Sequence, residues 1–179
     1  WQDFLDHYDA EWDTLQAKLK KKGQDYTNIK VDSSQTMGPG AVTNVHICGD
    51  RSYPVLLLLP GFRLTSTMWS GHIEELVTHY CVVTLDYPFD VGRSTPGHEK
   101  TPIMDRHGRK FTKFTYKDKS VEGIMAWMRE VLKKVEIPEL SAMGGYSLGA
   151  YLTSMMALNK FETLRPNAKL FLGAPPATF

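Results

Sequence analysis

Apolar positions in the first twenty residues recur at helical spacing. Phe4, Tyr8, Trp12, Leu15 and Leu19 follow at intervals of four, four, three and four, which puts them on one face of an amphipathic helix. Lys18, Lys20, Lys21 and Lys22 crowd its last turn and Gly23 follows, the charge and the breaker expected at a helix C-terminus. The pattern then changes. Ile29 to Asp32 and Val42 to Cys48 read as short strands, and Met37-Gly38-Pro39-Gly40 supplies turn residues between them, so the pair predicts a hairpin. Val55 to Leu59 is an unbroken apolar run closed by Pro60-Gly61, the pattern of a central strand buried on both faces.

A helix is predicted over Ser70 to Tyr80 and a second buried strand over Cys81 to Asp86, followed by a loop of about thirty residues that runs to about Tyr116. A loop of that length inside a compact domain is usually functional or mobile. Val121, Ile124, Met125, Met128, Val131, Leu132 and Val135 form one apolar stripe that stops before Pro138, a further helix whose methionines belong to the core. Leu140 to Met143 reads as a strand, Leu148 to Leu158 as a helix, and Lys169 to Leu172 as a last strand before Gly173-Ala174-Pro175-Pro176. Strands that alternate with helices and are mostly apolar throughout specify an α/β protein, its mostly parallel sheet covered by helices on both faces. Residues 1–25 are expected to be a leading helix and 26–179 a single α/β unit.

Composition narrows the picture. A chain of 179 residues, 42% hydrophobic and 23% charged, is long enough to bury one sizeable core. Its formal charge of +1 gives no electrostatic footprint for nucleic acid. Cys48 and Cys81 lie in apolar runs and are expected to be buried thiols in a reducing compartment. No run approaches the roughly 18 apolar residues of a membrane span, and the first thirty residues are too polar for a secretory segment. The expected location is cytoplasmic, although a chain that begins at Trp1 instead of methionine leaves the native N-terminus open. The six histidines are scattered without ligand spacing and no phosphate-cradling glycine loop occurs, so neither a metal nor another cofactor is expected. Oligomeric state is not legible.

Candidate chemistry is concentrated at Gly145-Tyr146-Ser147-Leu148-Gly149. The stretch lies between a predicted strand and a predicted helix, the context that gives a Gly-x-Ser-x-Gly pattern its meaning. A serine at so sharp a turn is held in a strained backbone conformation, tolerated where its neighbours have almost no side chain. Its hydroxyl would project above the sheet edge, with the Leu148 N–H at a helix N-terminus, ready to meet a developing oxyanion. Three informative segments fall at strand C-termini, where α/β sheets bind ligands: Pro60-Gly61-Phe62, Asp86 to Ser94, and Ser147.

Leu59-Pro60-Gly61-Phe62 with Ser66-Thr67-Met68-Trp69, then Asp86-Tyr87-Pro88-Phe89-Asp90-Val91-Gly92-Arg93-Ser94, then Gly144 to Ala150, resemble in order and spacing the α/β-hydrolase superfamily, in particular its esterase and lipase-like members. The resemblance runs from about Ile29 to the end. It implies that Ser147 is a nucleophile in a nucleophile elbow formed with Gly145, Tyr146 and Gly149, that the N–H groups of Phe62 and Leu148 form an oxyanion hole, and that Gly61, Phe62, Trp69 and Tyr146 border the pocket of a small-molecule ester or acyl substrate.

Two local departures do not touch the serine itself: Pro60-Gly61 stands where many members have His-Gly, and the Asp86 to Gly92 loop is one residue longer than the commonest form. A third is larger. The resemblance implies an acid and then a histidine after the serine, whereas beyond Ser147 this chain has no histidine, no aspartate, and Glu162 as its only acid. The expectation is an N-terminal portion of a longer serine hydrolase, reaching about the sixth strand, inactive by itself and with the remaining triad members beyond Phe179. The alternatives are a non-catalytic binding or scaffold protein on the same fold, or an acyltransferase. His7, His46, His72 and His79 are expected to be surface or packing residues, and His98 and His107 to lie on the rim.

Overall fold

The computed structural model describes residues 1–97, 100–114 and 120–174. Helix α1 spans Gln2–Lys21 and buries Tyr8, Trp12, Leu15 and Leu19, the apolar stripe less Phe4, which stays half-exposed. Its basic last turn is paired as well as solvated: the ammonium groups of Lys18 and Lys22 lie 3.5 and 2.7 Å from Glu74. Strands β1 (Tyr26–Asp32) and β2 (Val42–Cys48) form the expected hairpin, in register from Tyr26↔Cys48 to Asp32↔Val42. β1 begins three residues before its apolar signal, where pairing with β2 holds Tyr26, Thr27 and Asn28 in the sheet. A short helix, α2 (Ser34–Met37), precedes the glycine turn.

β3 (Val55–Leu59) leads through a 3-10 turn at Ser66–Trp69 into α3 (Ser70–Leu76), and β4 (Cys81–Leu85) follows. α3 ends four residues sooner than its pattern suggested. The long segment after β4 is not all loop: β5 (Lys100–Met104) and β6 (Lys110–Phe114) pair antiparallel. The intervening turn is organised by Asp105, whose Oδ1 accepts the N–H groups of His107 and Arg109 at 2.8 and 2.9 Å. Backbone pairing and this turn make the ribbon, so a charge-rich sequence concealed it.

α4 (Val121–Lys134) is capped by Ser120, whose hydroxyl accepts the Gly123 N–H at 3.0 Å. β7 (Leu140–Tyr146), α5 (Leu148–Leu158) and β8 (Leu164–Gly173) complete the described chain. β8 starts five residues before its apolar core and carries Pro166, a residue tolerated on a strand at a sheet edge.

The six strands run in the order β1-β2-β4-β3-β7-β8. The β1–β2 and β2–β4 pairs are antiparallel and the other three parallel, so the sheet is mixed, mostly parallel, with β3 inside it as expected. Alternation along β3 separates two core layers. Leu57 and Leu59 join Val45, Val83, Met143 and the inner faces of α4 and α5, while Leu56 and Leu58 join Val82, Ile73 of α3 and the stripe of α1. Cys48 and Cys81 are both free and buried, and burial raises the Cys48 thiol to about 12.

Candidate functional site

β7 ends at Tyr146 and α5 begins at Leu148, so Ser147 alone makes the turn from strand to helix. Its backbone lies at φ +50° and ψ −112°, a strained region for a residue with a side chain, costing about 1–3 kcal/mol. Flanking sterics enforce the turn. A Cβ on Gly145 would sit 2.1 Å from the carbonyl carbon of Gly149, and one on Gly149 2.1 Å from the Leu59 oxygen, so strand, turn and helix touch backbone to backbone. The Ser147 N–H donates to Gly173 O at 2.9 Å and its carbonyl accepts the Tyr151 N–H at 3.0 Å. Ser147 remains partly exposed, beside the first-turn N–H groups of α5, which have no partner four residues back within the helix.

The β3 exit loop closes against this turn. A Cβ on Gly61 would meet Tyr146 Cδ1 at 3.1 Å and Leu64 Cδ1 at 3.0 Å, which puts the backbone leading into Phe62 against the residue before Ser147. Leu64 N–H to Gly61 O at 3.1 Å closes a turn in which Arg63 takes φ +58°. The β4 exit loop braces it from outside: Asp90 Oδ2 accepts the Arg63 N–H at 2.7 Å and the Tyr87 hydroxyl donates to Pro60 O at 2.8 Å. Phe62 (61% exposed), Leu64 and Tyr146 leave apolar surface beside the serine. Trp69, expected at the pocket wall, lies in the 3-10 turn at Ser66–Trp69. The 3-10 turn carries it inward, where it is 7% exposed among Tyr8, Trp12 and Ile73, so its bulk serves the core layer under α1.

A buried polar cluster gave no comparable signal in the sequence. Asp86, fully buried, accepts Ser66 N–H (2.9 Å) and Ser66 Oγ–H (2.8 Å) at Oδ1, and Tyr8 O–H (2.7 Å) and Arg93 N–H (2.9 Å) at Oδ2. The Tyr8 hydroxyl also lies 2.7 Å from His46 Nε2, which Asn44 Nδ2 approaches at 2.9 Å. His46 Nδ1 lies 2.9 Å from the Tyr26 hydroxyl and 3.2 Å from Asn28 Nδ2. His46 is neutral in this cluster, with hydrogen-bonding groups at both ring nitrogens. Burial agrees, lowering the His46 pKa to about 3. Burial and then the Asp86 charge raise the Tyr8 pKa. The visible trace of this cluster was polar residues in strand positions: Asn44 and His46 in β2, and Asp86 just after β4.

His7, His72 and His79 are exposed, as is His107 in the β5–β6 turn; His98 lies outside the described residues. Glu162, the single acid after Ser147, pairs with Arg129 of α4. Among the described residues, no group of three or more His, Cys, Asp or Glu side chains is placed to hold a metal ion, and no helix is long and apolar enough to cross a membrane.

No protein-family model matches the sequence, and no curated protein matches it. Solved structures do resemble it. Naproxen esterase (carboxylesterase NP) from Bacillus subtilis superposes with a TM-score of 0.58 at 20% identity, over 86% of this chain and 46% of that one. A membrane phospholipase A described as a bacterial virulence factor gives 0.62 at 18%, over 92% and 44%. The 2-hydroxy-6-oxo-6-phenylhexa-2,4-dienoate hydrolase of Rhodococcus sp. strain RHA1 gives 0.58 at 18%, over 83% and 46%. The chain spans somewhat under half the length of each of these three structures. Sheet order, helices on both faces and these likenesses agree that the chain has the α/β-hydrolase fold, over a part of its extent.

Proposed function

We propose that the chain belongs to a serine hydrolase that cleaves carboxylic esters through an acyl-enzyme on Ser147. The observation that carries this reading is the Ser147 backbone at φ +50°, wedged between two glycines whose Cβ positions other backbone atoms occupy. Such strain needs a reason, and presenting a hydroxyl at the head of a helix is one. Ser147 attacks the ester carbonyl, its proton passes to a general base, and the alkoxide departs to leave the acyl-serine; water then hydrolyses that ester. The Leu148 N–H, at the positive end of α5, and the Phe62 N–H are the donors assigned to the oxyanion. Losing one such donor typically costs about 2.7–4 kcal/mol in the transition state.

No described histidine is assigned the general base: His46 has both nitrogens engaged by Tyr8 and Tyr26, and His107 sits on a ribbon turn. The acid and base are assigned to residues beyond those described, so activity belongs to the whole protein. Cytoplasmic location rests on composition and cysteine usage. The structures that resemble the chain, an esterase and a phospholipase among them, support a small ester or acyl substrate. The test is reaction of the full-length protein with a fluorophosphonate probe and peptide mapping of the adduct. Label on Ser147, lost in Ser147→Ala, is the expected result; label that survives the substitution rejects the assignment.

A further inference from the structure

We infer that Tyr8 and Asp86 are positioning residues for the loop that carries the Phe62 N–H, so α1 is a working part of the candidate site as well as a cover for the sheet. The inference rests on the reading of Ser147 and Phe62 above. It begins from the chain segments that converge on one buried carboxylate. Ser66 belongs to the β3 exit, Arg93 to the β4 exit and Tyr8 to α1, and all three donate to Asp86. Gly92 closes tightly on the same group: at φ +130°, a Cβ there would lie 2.6 Å from Asp86 Cγ.

The segment from Phe62 to Ser66 is thereby held near both ends, by Asp90 on the Arg63 N–H and by Asp86 on the Ser66 N–H and hydroxyl. Few conformations remain between those ties. Charge makes the Asp86 tie strong, because hydrogen bonds to an ionised carboxylate exceed neutral ones, and a buried charge holds its place only while its donors do. The Arg93 guanidinium pairs with Asp9 of α1, so the four bonds to Asp86 come from two backbone N–H groups and two hydroxyls. Tyr8 supplies one of them. Its own oxygen accepts Asn44 Nδ2 at 3.0 Å and lies 2.7 Å from His46 Nε2, so the phenol cannot turn away without breaking three contacts.

Each Asp86 oxygen receives one backbone N–H, from Ser66 on one side and Arg93 on the other. Backbone donors cannot reverse direction. Asp86→Asn, although the same shape, must therefore set its amide hydrogens against one of the two N–H groups, whichever way it is flipped.

The experiment uses the full-length protein and two readouts: hydrogen exchange in peptides covering 61–69 and 148–158, and the maximal rate of fluorophosphonate labelling at Ser147 against the probe concentration giving half that rate. Tyr8→Phe is expected to speed exchange in 61–69 and lower the maximal labelling rate, each roughly tenfold, with 148–158 and the half-saturating concentration unchanged. Ser66→Ala, which leaves α1 in place, repeats the pattern, and Asp86→Asn enlarges it. Leu19→Val, far along α1 from the carboxylate, lowers the melting temperature while exchange in 61–69 and labelling stay as in wild type. Unchanged exchange in Tyr8→Phe and Ser66→Ala overturns the inference, as does a Leu19→Val variant that reproduces their effects. If the wild-type protein takes no label, the Ser147 reading fails on its own, and exchange in 61–69 alone decides whether Tyr8 and Asp86 position the loop.

Discussion

The two ends of the sheet hold their loops by opposite means. At the β1–β2 end, Tyr8, Tyr26, Asn44, His46 and Asp86 are drawn together by hydrogen bonds, and a buried carboxylate with four donors ties helix to loops. At the β7–β8 end, the Ser147 turn is shaped by missing side chains: Gly145, Gly149 and Leu59 meet backbone to backbone. Leu170, Phe171 and Leu172 of β8 are also 42–60% exposed. Directional bonds can be weakened one at a time, whereas a steric wedge fails as soon as one methyl group is added. The first arrangement tunes a loop and the second fixes a turn.

The largest expected effect separates chemistry from architecture at the β7–β8 end. Ser147→Ala should lower ester turnover of the full-length protein by on the order of a millionfold, as removal of a nucleophilic serine does elsewhere, with little change in the melting temperature. Steady-state kinetics and calorimetry read both quantities. An active variant would leave the strained turn without its proposed purpose.

Next is the wedge itself. Gly149→Ala forces a Cβ onto the Leu59 carbonyl oxygen, a backbone neighbour that cannot move aside, and should destabilise the fold by about 3 kcal/mol, the upper part of the usual overpacking range. Gly71→Ala is the matched control, since a Cβ there meets nothing within 4 Å, and it should be neutral or stabilising by up to about 1 kcal/mol. Similar denaturation midpoints for the two variants would refute the steric account.

The β1–β2 end should show itself through pH. Burial lowers the His46 pKa from 6.5 to about 3, so between those values the unfolded chain binds a proton that the folded chain refuses. The stability from a neutral His46 is complete above the unfolded value and is lost as pH falls below it. From pH 7 to 5.5, above the main carboxylate range, the loss should be about 1 kcal/mol. Urea denaturation at both pH values measures it, and His46→Gln should remove His46's share of the slope. If the slope is the same in the variant, His46 is not the group responsible.

The smallest effect on stability is expected at the exposed edge. Phe171→Lys, at a position 60% exposed, should change the stability of the 179-residue chain by no more than about 0.5 kcal/mol. It should nonetheless reduce association, because lysine on an edge strand discourages pairing with another chain. Light scattering at tens of micromolar compares the two proteins. Equal and monomeric behaviour of both would mean that β8 is not an adhesive edge.

Much of the architecture was legible because it is local. The stripe from Tyr8 to Leu19, the apolar run of β3 and the helix from Leu148 to Leu158 each carry their period in the sequence, and α5 has the predicted bounds. The Ser147 turn was legible too, since the spacing of its glycines encodes the need for backbone contact. Elements held by partners were harder to see. The start of β1 depends on β2, and the β5–β6 ribbon depends on pairing and on Asp105.

By itself, then, the sequence determined the class of fold, the elements with a strong apolar period, and the serine between its glycines. Tertiary structure alone decided that the β1–β2 hairpin joins the sheet antiparallel beside β4, that Trp69 turns into the core, and that Tyr8 finds Asp86 across 78 residues of sequence. The physical reason is one of range. Hydrophobic period reports which side of an element leaves water, and glycine spacing reports where backbones touch nearby. A buried polar group must instead find its donors wherever packing brings them, and no local pattern records which distant side chain that will be.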